Sequence, residues 1–247
     1  MMKRLRQFAV AATCLAGIGL ASAAPAAAED YTREEIEQII HAYLMDHPEV
    51  IIEAVRALEA RQQAEAQEQQ RQTLVTLRPD IVDGPSTMVA GNPDGDITLV
   101  EFFDYRCGYC KRVAPSIMTL VEADPGLRLA MMEFPILGEQ SVYAARAALA
   151  SVEQNRYWEM HAALINFRGD FTEETIRAIA VSVGLDDDKL IADMASPEID
   201  AVINRNYELA QALQINGTPA FIIGSQVVPG AISLEALQQL IADERQG

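Results

Sequence analysis

Ile97-Thr98-Leu99-Val100-Glu101-Phe102-Phe103-Asp104-Tyr105-Arg106-Cys107-Gly108-Tyr109-Cys110 is the stretch from which the rest of the chain is read. Ile97 to Phe103 is apolar on both faces except for Glu101, the pattern of a strand covered on both sides. Asp104-Tyr105-Arg106 then turns the chain. The cysteine pair opens a helix expected to reach about Ala123, with Pro115 expected to kink it. Glu101 shares a strand face with Leu99 and Phe103, so it is an acid in an apolar setting, and its pKa is expected to be raised. If the strand instead lay at a sheet edge, the same glutamate would simply face water.

Upstream, Lys3, Arg4 and Arg6 precede an apolar run from Phe8 to Leu20 and small residues ending in Ala26-Ala27-Ala28. That is the layout of a secretory signal peptide, assigned to residues 1–28, with the mature chain starting near Glu29. A spanning anchor would need about 20 apolar residues. Cys14 lies in the apolar run and leaves with the signal, so the exported chain keeps only Cys107 and Cys110. A close pair in an exported protein is a structural bridge, a metal clip or a redox centre. A bridge closing so short a loop is a weak staple, because the chain-entropy benefit grows with the loop. A closed zinc site wants four ligands, and His41, His47 and His161 are scattered. Copper(I), which soft thiolates select, stays as an alternative for the same two sulfurs. No cofactor is expected.

The full sequence carries 19 Lys and Arg against 36 Asp and Glu, a formal charge of −17, and loss of the signal makes it more negative. Such a chain repels nucleic acid and anionic lipid, so no nucleic-acid partner is expected. Hydrophobic residues make up 50%, ample for a core.

Thr32 and Glu35 form a capping box ahead of Ile36, Ile39, Ile40, Tyr43 and Leu44 at helical spacing. That helix stops at His47-Pro48, where a second begins with Ile51, Ile52, Val55 and Leu58 as its stripe. The stripe fades from Arg61 to Gln72, and residues 59–77 read as a solvated connector. Pro79, Gly84-Pro85 and the Gly91 to Asp96 cluster place the join to the main domain around residues 78–86. The domains expected are therefore 29–78, helical segment and connector, and 79–247. Residues 31–58 have a narrow apolar stripe and too little mass for their own core, so they are expected to be buried against partner chains.

Beyond the cysteine helix come a strand from Leu127 to Phe134, an almost wholly helical block over about 139–213, strands at Ala220–Ile223 and Gln226–Val228, and a helix capped by Ser233. The triple acid Asp186-Asp187-Asp188 reads as a helix start. Trp158, Met160 and His161 read as core or groove-wall residues. The order is that of an α/β thioredoxin fold interrupted by a helical insertion, with an N-terminal helical oligomerisation segment in front.

Phe102-Phe103-Asp104-Tyr105, Glu133-Phe134-Pro135-Ile136-Leu137-Gly138 and Gly217-Thr218-Pro219 resemble the DsbA-like family over residues 87–247. The appendage, with Tyr43-Leu44 and His47-Pro48-Glu49, resembles its ScsC branch, the suppressors of copper sensitivity. The chemistry runs through a thiolate, which the N-terminus of the helix favours at Cys107. Cys107 is thus the expected nucleophile and Cys110 the resolving cysteine. The resemblance implies that Glu101 exchanges a proton with Cys110 and that Thr218 and a cis Pro219 dock an incoming strand beside the pair. Where the family often has a basic residue before Glu-Phe-Pro, this chain has Met132. Threonine at 218 and Gly-Tyr between the cysteines resemble the isomerase and reductase types, leaving net oxidation as the alternative. The resemblance further implies periplasmic location, protein substrates with cysteines or disulfides, a membrane redox partner, and a homotrimer or dimer.

Overall fold

A computed structural model describes residues 31–84 and 87–246; the signal segment expected over 1–28 lies outside them. Five strands form one sheet: β1 (Met88–Gly91), β2 (Ile97–Phe103), β3 (Leu127–Glu133), β4 (Ala220–Ile223) and β5 (Gln226–Pro229), in the order β1-β3-β2-β4-β5. β2 and β3 run parallel, linked by a helix over Gly108–Ala123, while β1, β4 and β5 pair antiparallel. The central place of β2 explains its uninterrupted apolar reading, since both faces are covered and both edges are paired. Glu101 therefore stands opposite Met131 on one side and Phe221 on the other, and the edge position is excluded.

Nine α-helices are described: α1 (Arg33–Asp46), α2 (Glu49–Val82), α3 (Gly108–Ala123), α4 (Glu139–Ala150), α5 (Tyr157–Asn166), α6 (Glu173–Ser182), α7 (Asp187–Asp193), α8 (Pro197–Ala212) and α9 (Leu234–Gln246). α4 to α8 form the insertion between β3 and β4, matching the helical block read from the sequence. Thr172, Asp186 and Ser196 cap α6, α7 and α8 through their side chains. The triple acid is thus a helix start.

Strand alternation divides the core. Leu99, Phe103, Leu129 and Met131 pack with Val113 and Ile117 of α3, Leu237 and Ile241 of α9, and the insertion. Val100, Phe102, Ala130 and Met132 pack on the other face with Leu209 and Leu213 from the end of the insertion, and with Leu74 and Ile81. These last two come from α2, which continues through Pro79 instead of breaking there. Pro79 sits in the last turn, its carbonyl accepting from the Asp83 amide at 2.9 Å. Seven residues apart, Leu74 and Ile81 lie on one helix face, and their burial holds the helix against the sheet. Gln70 Nε2 donates to the Leu213 carbonyl and Arg78 Nη1 to that of Gly224, at 2.6 and 2.8 Å. The late part of the expected connector is therefore core-forming helix.

The chain divides into compact units at Ala57/Leu58. In the first, the capping box of Thr32 and Glu35 is present, and Ile36, Ile39, Ile40 and Tyr43 of α1 are exposed in the single chain.

Candidate active site

Cys107 is the N-cap of α3, with extended backbone and a sulfur that accepts from the Cys110 amide at 3.4 Å. The turn that delivers it is held by Asp104. One carboxylate oxygen of Asp104 accepts from the Arg106 amide and the Ser141 hydroxyl, at 2.7 and 2.8 Å; the other accepts from the Leu137 amide at 3.0 Å. The Asp104 carbonyl accepts the Cys107 amide at 3.0 Å. A single buried aspartate thus fixes the cysteine loop to the loop after β3 and to α4. The sequence reading missed it; its signal was a short acid just past a buried strand, where loop amides need an acceptor.

The two sulfurs are electrostatically unequal. The Cys107 thiol is brought down to about 5, first by the hydrogen bond from the Cys110 side chain and further by the Cys110 and Tyr109 amides, against an opposing push from burial. Cys110 is pushed strongly up by its hydrogen bond to Cys107, by burial and by the charge of Glu101. Near neutral pH the pair is therefore one thiolate and one thiol, the thiolate at the helix start where amides and dipole favour an anion. Both cysteines are free in this structure.

Glu101 is buried and its carboxyl is pushed up to about 8, first by desolvation and then by the Cys107 charge. It borders a cavity of about 590 Å³ whose wall includes Met131, Pro115, Trp158 and His161. Thr218-Pro219 is a cis peptide, and the Cys107 sulfur lies 3.2 Å from the Thr218 carbonyl, to which the protonated thiol donates. The fold thus gathers Cys107, Cys110, Glu101, Thr218 and Pro219, which the sequence spreads over more than a hundred residues.

A second buried cluster carries titratable groups that the sequence reading did not assign to the site. Glu133, at the end of β3, accepts from the Tyr105 and Tyr157 hydroxyls at 2.9 and 3.0 Å, and Tyr105 meets His161 Nδ1 at 3.0 Å. Burial pushes the Glu133 carboxyl well up and lowers His161 to about 4, so the imidazole is neutral at pH 7. Asn206 Nδ2 closes on the Glu133 carbonyl at 2.9 Å. His161 is thereby a groove-wall residue, as its helix position suggested. The cluster braces Tyr105, two residues from Cys107, against β3, α5 and α8.

A metal would find two cysteine sulfurs here. Their softness suits copper(I), yet the high pKa of Cys110 opposes forming the second thiolate. Among the described residues there is no group of three or more His, Cys, Asp or Glu arranged to hold a metal ion.

Comparison with known proteins agrees with this geometry. The family model described as DSBA-like thioredoxin domain matches residues 98–242, and that of the Copper resistance protein ScsC N-terminal domain matches residues 33–65. A thioredoxin-like oxidoreductase from Silicibacter pomeroyi DSS-3 is 44% identical, with a TM-score of 0.67 over 69% of this chain and 98% of that one. Proteus mirabilis ScsC in a transitional conformation is 26% identical, with a TM-score of 0.66 over 85% of this chain and 95% of that one. A curated relative from Salinispora arenicola, named Na(+)/H(+) antiporter NhaA 1, is 26% identical over 162 residues, 65% of this chain. The chain spans about 25% of the length of that antiporter. Among the described residues no helix is long and apolar enough to cross a membrane.

Proposed function

This chain belongs to the DSBA-like thioredoxin family, as a thiol–disulfide oxidoreductase of its ScsC branch, and from that premise we propose that it is a periplasmic protein disulfide isomerase or reductase. The observation that carries the reading is the split pair, a Cys107 thiolate at the head of α3 beside a protonated Cys110. The Cys107 thiolate attacks one sulfur of a substrate disulfide, forming a mixed disulfide and releasing the other substrate sulfur as a thiolate. In isomerisation a different cysteine thiolate of the substrate attacks the substrate sulfur of the mixed disulfide, a new substrate disulfide forms, and Cys107 leaves as the thiolate it began as. In reduction Cys110 loses its proton to the ionised fraction of Glu101 and attacks Cys107. The Cys107–Cys110 bond closes as the substrate leaves as a dithiol, two electrons having passed to it. The cavity beside Glu101 is roomy enough for water, which gives the proton a way out. The Thr218 backbone, next to Cys107, pairs with the substrate main chain, which makes docking independent of substrate side chains.

Oligomerisation is assigned to the exposed apolar stripe of α1 and early α2, as a homotrimer, and a membrane redox partner keeps the pair reduced. Copper(I) binding through Cys107 and Cys110 is the second reading, resting on the thiolate donor set.

Reactivation of scrambled ribonuclease in glutathione buffer tests the proposal. It compares residues 29–247, Cys107→Ser and a chain starting at Leu58, which keeps Leu74 and Ile81 in the core. Activity abolished by Cys107→Ser and weakened by truncation is expected. If all three are inactive while the long form oxidises a reduced dithiol peptide, the protein is a net oxidase.

A further inference from the structure

Outside α2, whose Arg61 and Arg78 make no ion pair among the described residues, the cations of the catalytic unit fall into two groups. Arg146, Arg156, Arg177, Arg205 and Arg245 each lie against a carboxylate, as expected in a chain so rich in acids. Arg106, Lys111, Arg112 and Arg168 do not; among the described residues none of the four makes an ion pair. Arg106 donates Nη1 to the Leu137 carbonyl at 2.9 Å. Lys111 Nζ donates to the Phe167 carbonyl and lies 5.5 Å from the centre of the Phe171 ring. The Arg112 guanidinium sits 4.4 Å over the Tyr109 ring. Arg168 is exposed and directly follows the residue that holds Lys111.

All four gather at the cysteine pair. Arg106 precedes Cys107, Lys111 and Arg112 follow Cys110, and the loop between α5 and α6 brings Arg168 close enough that its charge and that of Arg106 act on Lys111. The carboxylate whose charge acts on Lys111, Asp104, is buried and already engaged by the Arg106 amide, the Leu137 amide and Ser141. Helix starts sharpen the contrast. The other eight α-helices carry an acid in their first turn, as the macrodipole favours, and α3 carries none. Within this cationic ring Tyr109, Ile136 and Leu137 are exposed apolar surface.

We propose that the unpaired cations around Cys107 select protein segments in which the reacting cysteine is flanked by Asp and Glu. The inference rests on the thiol–disulfide reading above and adds a substrate class to it. The four positive charges at the mouth of an otherwise negative protein steer an acidic segment toward the sulfur, while Tyr109, Ile136 and Leu137 receive its apolar residues. Steering of this kind raises association rates by about 10 to 10³-fold and is screened over about 8 Å at physiological ionic strength. The same cations also favour the thiolate, but that effect speeds reaction with every substrate alike. Charged flanks also shift the substrate sulfur's leaving-group pKa, but that effect favours the Lys flanks, so a faster reaction with Asp flanks reports recognition.

Three peptides of one sequence, each closed by a single disulfide and differing only in Asp, Asn or Lys on either side of one cysteine, test this. The reduced full chain is mixed with each, quenched in acid, and the reduced peptide is followed by mass spectrometry at about 20 mM and about 500 mM salt. Rates are divided by the rate with iodoacetamide, a neutral probe of the thiolate. At low salt the Asp peptide is expected to react about tenfold or more faster than the Lys peptide, with Asn between. High salt closes the gap, and the triple variant Arg106→Gln, Arg112→Gln, Arg168→Gln abolishes it. Should the triple variant fold poorly, Arg168→Gln alone, at an exposed position, narrows the gap. Equal rates for the three peptides at low salt, or a preference that survives the substitutions, overturns the proposal. If none of the three reacts, the Asn peptide included, it is the thiol–disulfide reading that falls.

Discussion

Replacing Glu101 by Gln removes a charge that the fold must suppress, so its effect on stability changes with pH in a way that can be worked out in advance. Folded, the carboxyl titrates at about 8; its ordinary value is 4.5. Below pH 4.5 both the folded and unfolded chains hold the proton, and the group costs nothing. Between 4.5 and 8 the unfolded chain has released the proton and the folded chain keeps it, so wild-type stability falls by about 1.4 kcal/mol per pH unit on this account. At pH 7 the cost is about 3 kcal/mol. Gln has nearly the same shape and no titration. Glu101→Gln is therefore expected to match wild type at pH 4 and to exceed it by about 3 kcal/mol at pH 7, as an order of magnitude. Urea unfolding at equal protomer concentration measures this. Trp158, the only tryptophan, lines the same cavity as Glu101 and reports on that unit by fluorescence. The functional half has the opposite sign. Without an acceptor for the Cys110 proton, the mixed disulfide on Cys107 should resolve about 10²-fold more slowly. Stability curves that stay parallel from pH 4 to 8 would refute the buried neutral acid, and unchanged resolution would refute its proton transfer.

The remaining predictions concern the pair and its support. Alkylation of Cys107 by iodoacetamide should be half-maximal at about pH 5, and Cys110→Ala, which removes the side-chain donor, should move that midpoint up, because the Cys110 hydrogen bond is the first cause of the low value. The sign follows for stability: the lowered Cys107 pKa favours the reduced fold at higher pH, and that contribution is lost as pH falls through about 5. Leu74→Ala should destabilise the catalytic unit by about 2–5 kcal/mol, measured by urea unfolding, since its side chain is fully buried under Phe102 and Met132; a connector uninvolved in the core would show no change. The second reading is tested by titrating copper(I) into the reduced chain against a chromophoric chelator: that reading requires binding that Cys107→Ser abolishes, and binding that survives the substitution moves the metal elsewhere.

What the sequence made legible is what depends on neighbours in the chain. The run from Ile97 to Phe103 announced a doubly covered strand, and the short cysteine spacing announced a helix start, because strand and helix periodicities are local properties. β1 escaped because Met88–Gly91 is a short edge strand between turn-forming residues, too brief for a period to register. The end of α2 escaped for another reason. Pro79 and the Gln-rich residues before it read as a break and a solvated stretch, while the two side chains that tie the helix down, Leu74 and Ile81, gain their meaning from a sheet face that the local pattern does not display.

The unforeseen parts of the site follow the same division. Glu133 looks like the polar end of an apolar strand until Tyr105 and Tyr157, 28 and 24 residues away in the chain, are set against its carboxyl. Glu101 was found because its own strand made it anomalous, whereas Glu133 becomes anomalous only once the insertion has folded over it. Two buried acids on adjacent strands thus have different standing. Glu133 is matched by hydroxyl donors and braces the turn at Tyr105. Glu101, with a cavity beside it and the Cys110 thiol within its field, is the one placed to exchange a proton.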